Sequence, residues 1–232
     1  MIKSELIKKS PLRILEKSIQ GGLKKGEIGV LASRKGVGKT ACLVHIAIDK
    51  LFQGKCVIHV SYSSKVDYII DWYEDIFKEI AKKQNLEPFL QTHDEIIKNR
   101  VIMNFNQQGT RTEQILKSIE AMIKKGDFAA DAVIVDGFDF NQSSPEDLKQ
   151  FKDFAEKTGV EIWFSASLKT EKLIFDEKGV PQELLDYQKT IDVLLSLKYE
   201  VPYVWLNVVK NRDRPVSEKP ALRLDPSTFL MA

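Results

Sequence analysis

Cysteine is scarce in this chain of 232 residues, which contains only Cys42 and Cys56. Each lies within an apolar run, so we expect two buried thiols in a reducing compartment and no disulfide framework. No apolar run approaches the roughly 18 residues that a membrane-spanning helix needs. The first ten residues, MIKSELIKKS, also lack the apolar centre of a signal peptide. These absences predict a cytoplasmic protein without a membrane partner.

An excess of charge of either sign is lacking too. The chain has 35 basic and 33 acidic residues, a net charge of +2, which is too small to indicate a nucleic-acid or membrane surface by itself. Internal repeats and low-complexity segments are absent. The 43% of hydrophobic and 29% of charged residues are typical of a globular protein. The length suits a single domain, residues 1–232, with a full core.

A glycine-containing turn stands between a strand-length apolar run, residues 28–32, and an apolar segment of helical length, residues 41–48. The turn and the start of the helix are Ser33, Arg34, Lys35, Gly36, Val37, Gly38, Lys39, Thr40 and Ala41. Strand, glycine turn, Lys-Thr and helix in this order are the layout of a phosphate-binding loop. Glycines there let several backbone N–H groups point at one centre. The sequence predicts that Lys39 binds nucleotide phosphates and that Thr40 binds Mg²⁺.

The alternative is an ordinary turn before a helix, because Gly-Lys-Thr alone is a weak signal. The usual pattern also begins with glycine at the position that Ser33 occupies. Since the flanking strand and helix are both present, we interpret the segment as a variant phosphate-binding loop.

A second chemical position is Asp136, which ends the apolar run DAVIVD. A carboxylate at the carboxyl end of a central strand faces the crevice where ligands of open α/β sheets bind. Asp136 is therefore predicted to complete the Mg²⁺ site with Thr40. Asp139 is the alternative ligand. The competing interpretation is that Asp136 only caps the turn that follows.

Strand patterns alternate with helical patterns along most of the chain and then give way to strands alone. A lysine-rich leading segment, residues 1–26, precedes them. Residues 169–189 are polar and are predicted to form a mobile loop with a little helix. The predicted strands after the glycine turn are 56–62, 101–105, 132–135, 160–168, 191–197, 203–209 and 221–224. This order predicts an α/β fold with a mainly parallel sheet, flanked by helices and extended by an antiparallel carboxyl-terminal edge.

Together these residues resemble the RecA-type ATPase fold, in the branch of KaiC-like proteins and DnaB-type replicative helicases. The similarity covers nearly the whole chain. It is carried by residues 11–15, 21–27, 32–41, 131–136, 192–197, 209–212 and 222–229. The resemblance implies a RecA-like P-loop NTPase with bound ATP and Mg²⁺. It also implies a homo-oligomeric ring or filament with nucleotide between subunits.

The resemblance gives Lys210 and Arg212, at the end of a late strand, a role in the nucleotide site of the next subunit. Cations aimed at the γ-phosphate from there would stabilise the charge that develops during hydrolysis. The alternative is a solvated basic turn in which Asp213 and Arg214 form a local charge network.

The chain departs from the resemblance where the ATPases carry the glutamate that positions the attacking water. Ser63 and Ser64 stand there instead, and Ser167 stands at the polar sensor position of a later strand. Asp67 can take the place of the missing glutamate only if it moves by about one helical turn. Loss of a positioned base costs roughly 10²–10⁴-fold in rate. We therefore expect Mg·ATP binding with weak or no hydrolysis.

Three functions follow from these features. The first is a nucleotide-controlled regulator or assembly factor that binds a protein partner. The alternative is a DNA-processing ATPase on single-stranded DNA, although residues 169–189 have mixed charges and lack stacked aromatic residues. That alternative also lacks room for the extra amino-terminal domain of a replicative helicase. A degenerate scaffold without nucleotide is the third, and the intact Lys39, Thr40 and Asp136 disfavour it.

Overall fold

The described part of the chain covers most of its length. The computed structural model describes residues 2–62, 67–83, 93–94, 96–106, 109–169, 175–214, 216 and 222–232, without the side chains of residues 2–5.

A single mixed sheet of eight strands organises the described residues. The strands are β1 (Ile28–Arg34), β2 (Cys56–Ser61), β3 (Arg100–Asn104), β4 (Ala130–Asp136), β5 (Glu161–Leu168), β6 (Val193–Glu200), β7 (Tyr203–Asn211) and β8 (Arg223–Leu224). Their spatial order is β3-β2-β4-β5-β1-β6-β7-β8. The first six are parallel to one another, whereas β7 and β8 are antiparallel to their neighbours. This arrangement confirms the predicted α/β class with an antiparallel carboxyl-terminal edge.

Helices connect the strands. They are α1 (Ile2–Lys9), α2 (Leu12–Ser18), α3 (Lys39–Phe52), α4 (Asp67–Lys83), α5 (Thr112–Lys125), α6 (Pro145–Thr158) and a 3₁₀ helix (Gln182–Tyr187). Within the described ranges, none of them has the length and apolarity that crossing a bilayer demands.

Two apolar layers cover the two faces of the sheet. One contains α2, α3, α4 and carboxyl-terminal residues, and the other contains α5, α6 and the 3₁₀ helix. The helix α4 shows why its sequence packs this way, since its buried residues recur at helical spacing: Ile69, Tyr73, Ile76 and Phe77. Burial of each such side chain stabilises the fold by about 1.5–3 kcal/mol. The helix α3 is buried along almost its whole length, so it is a fixed support for the turn that precedes it.

The ends of α6 are set by local sequence. The Ser144 hydroxyl accepts a hydrogen bond from the backbone N–H of Asp147 at 3.2 Å, and the Asp147 carboxylate accepts one from the Ser144 N–H at 2.9 Å. Pro145 opens the helix, where its missing N–H would have no helical partner. Gly159 ends it at φ 70°, a left-handed conformation that favours glycine. The amino terminus of α6 is therefore capped by its own acidic residue.

The carboxyl-terminal segment, residues 222–232, lies against α3 and α4. Burial lowers the pKa of His45 in α3 to about 4, so its ring is neutral at pH 7. Its Nε2 lies 2.8 Å from the carbonyl oxygen of Phe229. The Phe229 ring stands edge-on to Trp72 of α4, with ring centroids 4.7 Å apart. Of the predicted strand 221–224, residues 223 and 224 form β8, and residue 221 lies outside the described residues.

The segment 169–189, predicted as a mobile loop with a little helix, contains the 3₁₀ helix. Leu184 and Tyr187 of that helix are buried. The Tyr187 hydroxyl donates to the Phe140 carbonyl oxygen at 2.7 Å, which joins this part of the segment to the β4–α6 loop. The mobility stays a prediction, and residues 170–174 lie outside the described residues.

Candidate functional site

The predicted phosphate-binding turn joins the carboxyl end of β1 to the amino end of α3. Gly36 has φ 82° and Gly38 has φ 117°, values that residues with a side chain rarely adopt. Arg34, Lys35 and Gly36 are exposed, whereas Ser33 and Ala41 are buried at either end of the turn. The backbone therefore bends outward between two fixed elements, as a phosphate-binding loop requires.

The Lys39 side chain turns back into this bend and is 7% exposed. Its ammonium donates to the carbonyl oxygens of Ser33 (3.2 Å) and Arg34 (2.9 Å) and lies 3.3 Å from the Ser33 hydroxyl. Burial lowers the pKa of Lys39 to about 8, and the nearby Asp136 carboxylate opposes that shift. A positive charge is thus held in the centre of the turn by three oxygen atoms, which phosphate oxygens can replace.

Thr40 and Asp136, separated by 96 positions in the sequence, are in contact. The Thr40 hydroxyl donates to the Asp136 carboxylate at 2.8 Å. Oxygen atoms of this kind are the ligands that Mg²⁺ prefers. No group of three or more His, Cys, Asp or Glu side chains that could hold a metal occurs in the ranges the structure describes. Mg²⁺ at this pair would take its other ligands from a nucleotide and from water, as it usually does.

The contact between Thr40 and Asp136 arises from the strand order. β5 lies between β1 and β4, so the two residues reach across the carboxyl end of one intervening strand. Ser165 of β5 accepts a hydrogen bond from the Gly137 N–H at 2.8 Å, which fixes the turn after Asp136. Asp139, the alternative ligand, is bound to Lys169 at 2.7 Å instead. Of the two carboxylates, Asp136 is the one that contacts Thr40.

The lowered pKa of Lys39 predicts a pH dependence of stability. Between about pH 8 and its ordinary pKa of 10.5, this lysine holds fewer protons in the folded chain than in the unfolded chain. Its contribution to the free energy of unfolding therefore rises with pH across that window. We expect wild type to gain about 2–3 kcal/mol relative to Lys39→Met between pH 7 and pH 10. Denaturant titrations of wild type and Lys39→Met at pH 7 and pH 10 measure the difference. Equal changes in the free energy of unfolding of the two proteins would contradict the prediction.

Lys210 and Arg212 lie at the other end of the sheet. Because β7 is antiparallel to β6, its last residues stand beside the amino end of β1. The Lys210 ammonium donates to the carbonyl oxygens of Gln188 (2.6 Å) and Ile191 (2.5 Å). Burial lowers its pKa, and the nearby Asp192 opposes the shift. Within one chain, neither residue is brought to the glycine turn at residues 33–41, and their role across a subunit interface stays a prediction.

Arg212 uses all five of its N–H groups within the chain. It donates to both carboxylate oxygens of Glu27 (2.7 and 2.6 Å), to the carbonyl oxygens of Ile19 (2.9 Å) and Gly22 (2.8 Å), and to the Asn211 side chain (2.7 Å). Arg212 also lowers the pKa of Glu27, against the effect of burial. Any contact of Arg212 with a nucleotide of another subunit would require this network to break.

The positions that depart from the resemblance are only partly described. Ser63 and Ser64 lie outside the described residues. Asp67 is the exposed first residue of α4. Ser167 of β5 pairs with Ser33 of β1 at the level where the turn begins.

Three contacts at these sites were not predicted from the sequence. They are the hydrogen bond from the Gly137 N–H to the Ser165 hydroxyl, the pairing of Glu27 with Arg212, and the packing of Leu224 against Gly38. A methyl group added at Gly38 would lie 2.6 Å from Cδ2 of Leu224, so β8 closes against the glycine turn. Nothing in the Lys-Gly-Glu sequence that ends at Glu27 indicates that this glutamate pairs with Arg212.

Comparison with known proteins assigns no family. No protein-family model matches the chain, and a search of curated proteins finds no match. The strand order itself defines an α/β domain with a mostly parallel sheet and an antiparallel carboxyl-terminal edge.

Proposed function

We propose that this protein is a RecA-like P-loop domain that binds Mg·ATP at the turn from Ser33 to Ala41. The observation that carries the proposal is the 2.8 Å contact between Thr40 and Asp136. A hydroxyl at the start of the helix and a carboxylate one strand away are the pair that holds Mg²⁺ in P-loop proteins. The buried ammonium of Lys39 beside them supplies the charge for the phosphates.

Each group has a distinct part in binding. Backbone N–H groups of the turn and the amino terminus of α3 would surround the phosphates. Lys39 would exchange its carbonyl contacts for phosphate oxygens, which relieves the cost of its burial. Thr40 and Asp136 would hold Mg²⁺ and its water molecules against the outer phosphates. With serine at positions 63 and 64, we propose weak or no hydrolysis.

A nucleotide-controlled regulator or assembly factor is the function that these properties support best. Binding energy alone can shift a conformational or assembly equilibrium, so rapid chemistry is unnecessary. The proposal includes assembly into a ring or filament, with a protein partner for the nucleotide-bound form.

The DNA-processing alternative is favoured by one observation. A cavity of about 840 Å³ near the ends of β7 and the 3₁₀ helix is lined by five basic residues and one acidic residue. The basic residues are Lys178, Lys189, Lys210, Arg212 and Arg214. Such a surface attracts polyanions, including single-stranded DNA. Arg212 and Lys210 already have partners within the chain, so less of this charge is available than the number suggests.

Titration calorimetry with Mg·ATP tests the proposal. We expect saturable binding that weakens about 30-fold in Lys39→Ala, since the hydrogen bonds of a charged group contribute about 1.5–3 kcal/mol. Lys117→Ala, which removes an exposed lysine from α5, is the matched control and should bind as wild type does. Absence of binding, or equal binding by Lys39→Ala, would reject the nucleotide site.

The same proteins distinguish the candidate functions. A molecular mass that increases when nucleotide binds, together with an ATP turnover below about 1 s⁻¹, supports the regulator. Such a slow turnover is expected because a missing catalytic base slows hydrolysis by orders of magnitude. Turnover stimulated by single-stranded DNA selects the alternative. Light scattering measures the molecular mass, and a phosphate-release assay measures the turnover.

A further inference from the structure

A second crevice opens at the carboxyl edge of the sheet, between β2 and β4. These strands are neighbours, but the helices that follow them pack on opposite faces. The helix α4 contributes to the layer that contains α3, and α6 contributes to the other layer. Chains that leave adjacent parallel strands toward opposite faces leave a crevice, and ligands of open α/β sheets bind at such points.

The crevice contains a cavity of about 360 Å³. This volume is within the range of small-molecule sites. Tyr62 after β2 and Phe138 after β4 form two of its walls, and the amino-terminal parts of α5 and α6 with the loops that precede them form the others. The cavity is separate from the phosphate-binding turn, since none of residues 33–41 lines it.

The charges around the cavity disfavour an anion. Asp147 and Glu113 line it against one basic residue, Arg111, and the Asp139 carboxylate that also lines it is paired with Lys169 at 2.7 Å. The amino terminus of α6 would otherwise attract an anion, but Asp147 already accepts bonds from the Ser144 N–H and hydroxyl (2.9 and 2.7 Å).

The other polar groups both donate and accept hydrogen bonds. The side-chain amides of Gln142 and Gln150 line the cavity and make no hydrogen bond within the described part of the chain. Each amide offers two donor hydrogens and an acceptor oxygen. Burial, together with the Asp147 carboxylate, raises the pKa of Tyr62, so its hydroxyl stays protonated. Hydroxyl groups, which also donate and accept, are the complement of such a lining.

We propose that this cavity binds a small, hydroxyl-rich molecule that is uncharged or cationic, such as a sugar, a cyclic polyol or an amino sugar. The ring of the ligand packs against Tyr62, and its hydroxyls bond to Gln142, Gln150 and the carboxylate of Asp147. The proposal does not depend on nucleotide binding, because none of Lys39, Thr40 and Asp136 lines the cavity.

Amide chemical-shift mapping by NMR tests the proposal with named probes. Glucose, ribose, myo-inositol and glucosamine are titrated singly, beside glucose 6-phosphate and gluconate as anionic counterparts. We expect at least one of the first four to bind with millimolar or lower Kd and to shift the amides of residues 110–113 and 142–150. The double variant Gln142→Ala/Gln150→Ala should weaken that binding about tenfold, since each lost bond costs about two- to tenfold.

Gln182→Ala, which removes an exposed glutamine outside this cavity, is the matched control and should bind as wild type does. Lys39→Ala should also bind the probe normally, which separates this site from the nucleotide site. The proposal is overturned if none of the four probes binds, if the anionic counterparts bind as well or better, or if the double variant binds unchanged.

Discussion

The variant Arg212→Ala is expected to lose about 4 kcal/mol of its free energy of unfolding. The side chains of Arg212 and Glu27 are only 14% and 15% exposed, and removing one partner of such a largely buried ion pair leaves the other charge without compensation. The carbonyl oxygens of Ile19 and Gly22 lose their donor as well. These contacts join the end of β7 to the segment that leads into β1, so the loss would affect the whole domain.

Urea unfolding followed by circular dichroism, in dilute protein without nucleotide, measures the change. The matched control is Arg214→Ala, because Arg214 is exposed and its replacement should change stability by less than about 0.5 kcal/mol. If Arg212→Ala is as stable as the control and only lowers nucleotide-dependent assembly or turnover, the role across an interface is correct and the internal network is dispensable.

The variant Gly38→Ala is expected to be destabilised by about 3 kcal/mol. At φ 117° an alanine is strained by about 1–2 kcal/mol, and its Cβ would displace the buried side chain of Leu224, which adds a cost of overpacking. The strain falls in the turn that leads to Lys39, so Mg·ATP affinity should fall with it.

Gly36→Ala is the matched control for stability, because Gly36 also has positive φ but no atom lies within 4 Å of its added Cβ. Its cost should be smaller by about 1 kcal/mol, the part due to Leu224. In the cycle of Gly38→Ala with Leu224→Ala, the double variant should be more stable than additivity predicts. Equal costs for the two glycine variants, with strict additivity in the cycle, would show that the contact with Leu224 has no energetic weight.

The strand, glycine turn and helix at the end of β1 could be predicted because their signal is local. Residues 33–41 are consecutive, and glycine, lysine and threonine each have a physical reason to stand where they do. Asp136 could be added because parallel strands end at one edge of a sheet. The contact between Thr40 and Asp136 across β5 then required only that the strand order place β1 and β4 two positions apart, as it does.

The contacts that were missed connect distant parts of the chain. Glu27 and Arg212 are separated by 185 positions, and nothing in either segment indicates the other. The resemblance implies that Arg212 reaches the nucleotide of another subunit. In the folded chain, all of its N–H groups donate to atoms of the same chain. The cavity between β2 and β4 could not be predicted either, because it depends on which face each helix covers and not on a motif.

The carboxyl-terminal segment has a practical consequence for work with this protein. Its contacts, Leu224 on Gly38 and Phe229 on His45 and Trp72, join the last strand to the helix that begins at Lys39. A protease nick within residues 222–232 would therefore disturb the turn at Gly38. Loss of residues 222–232 would be expected to mimic a defect of the turn itself.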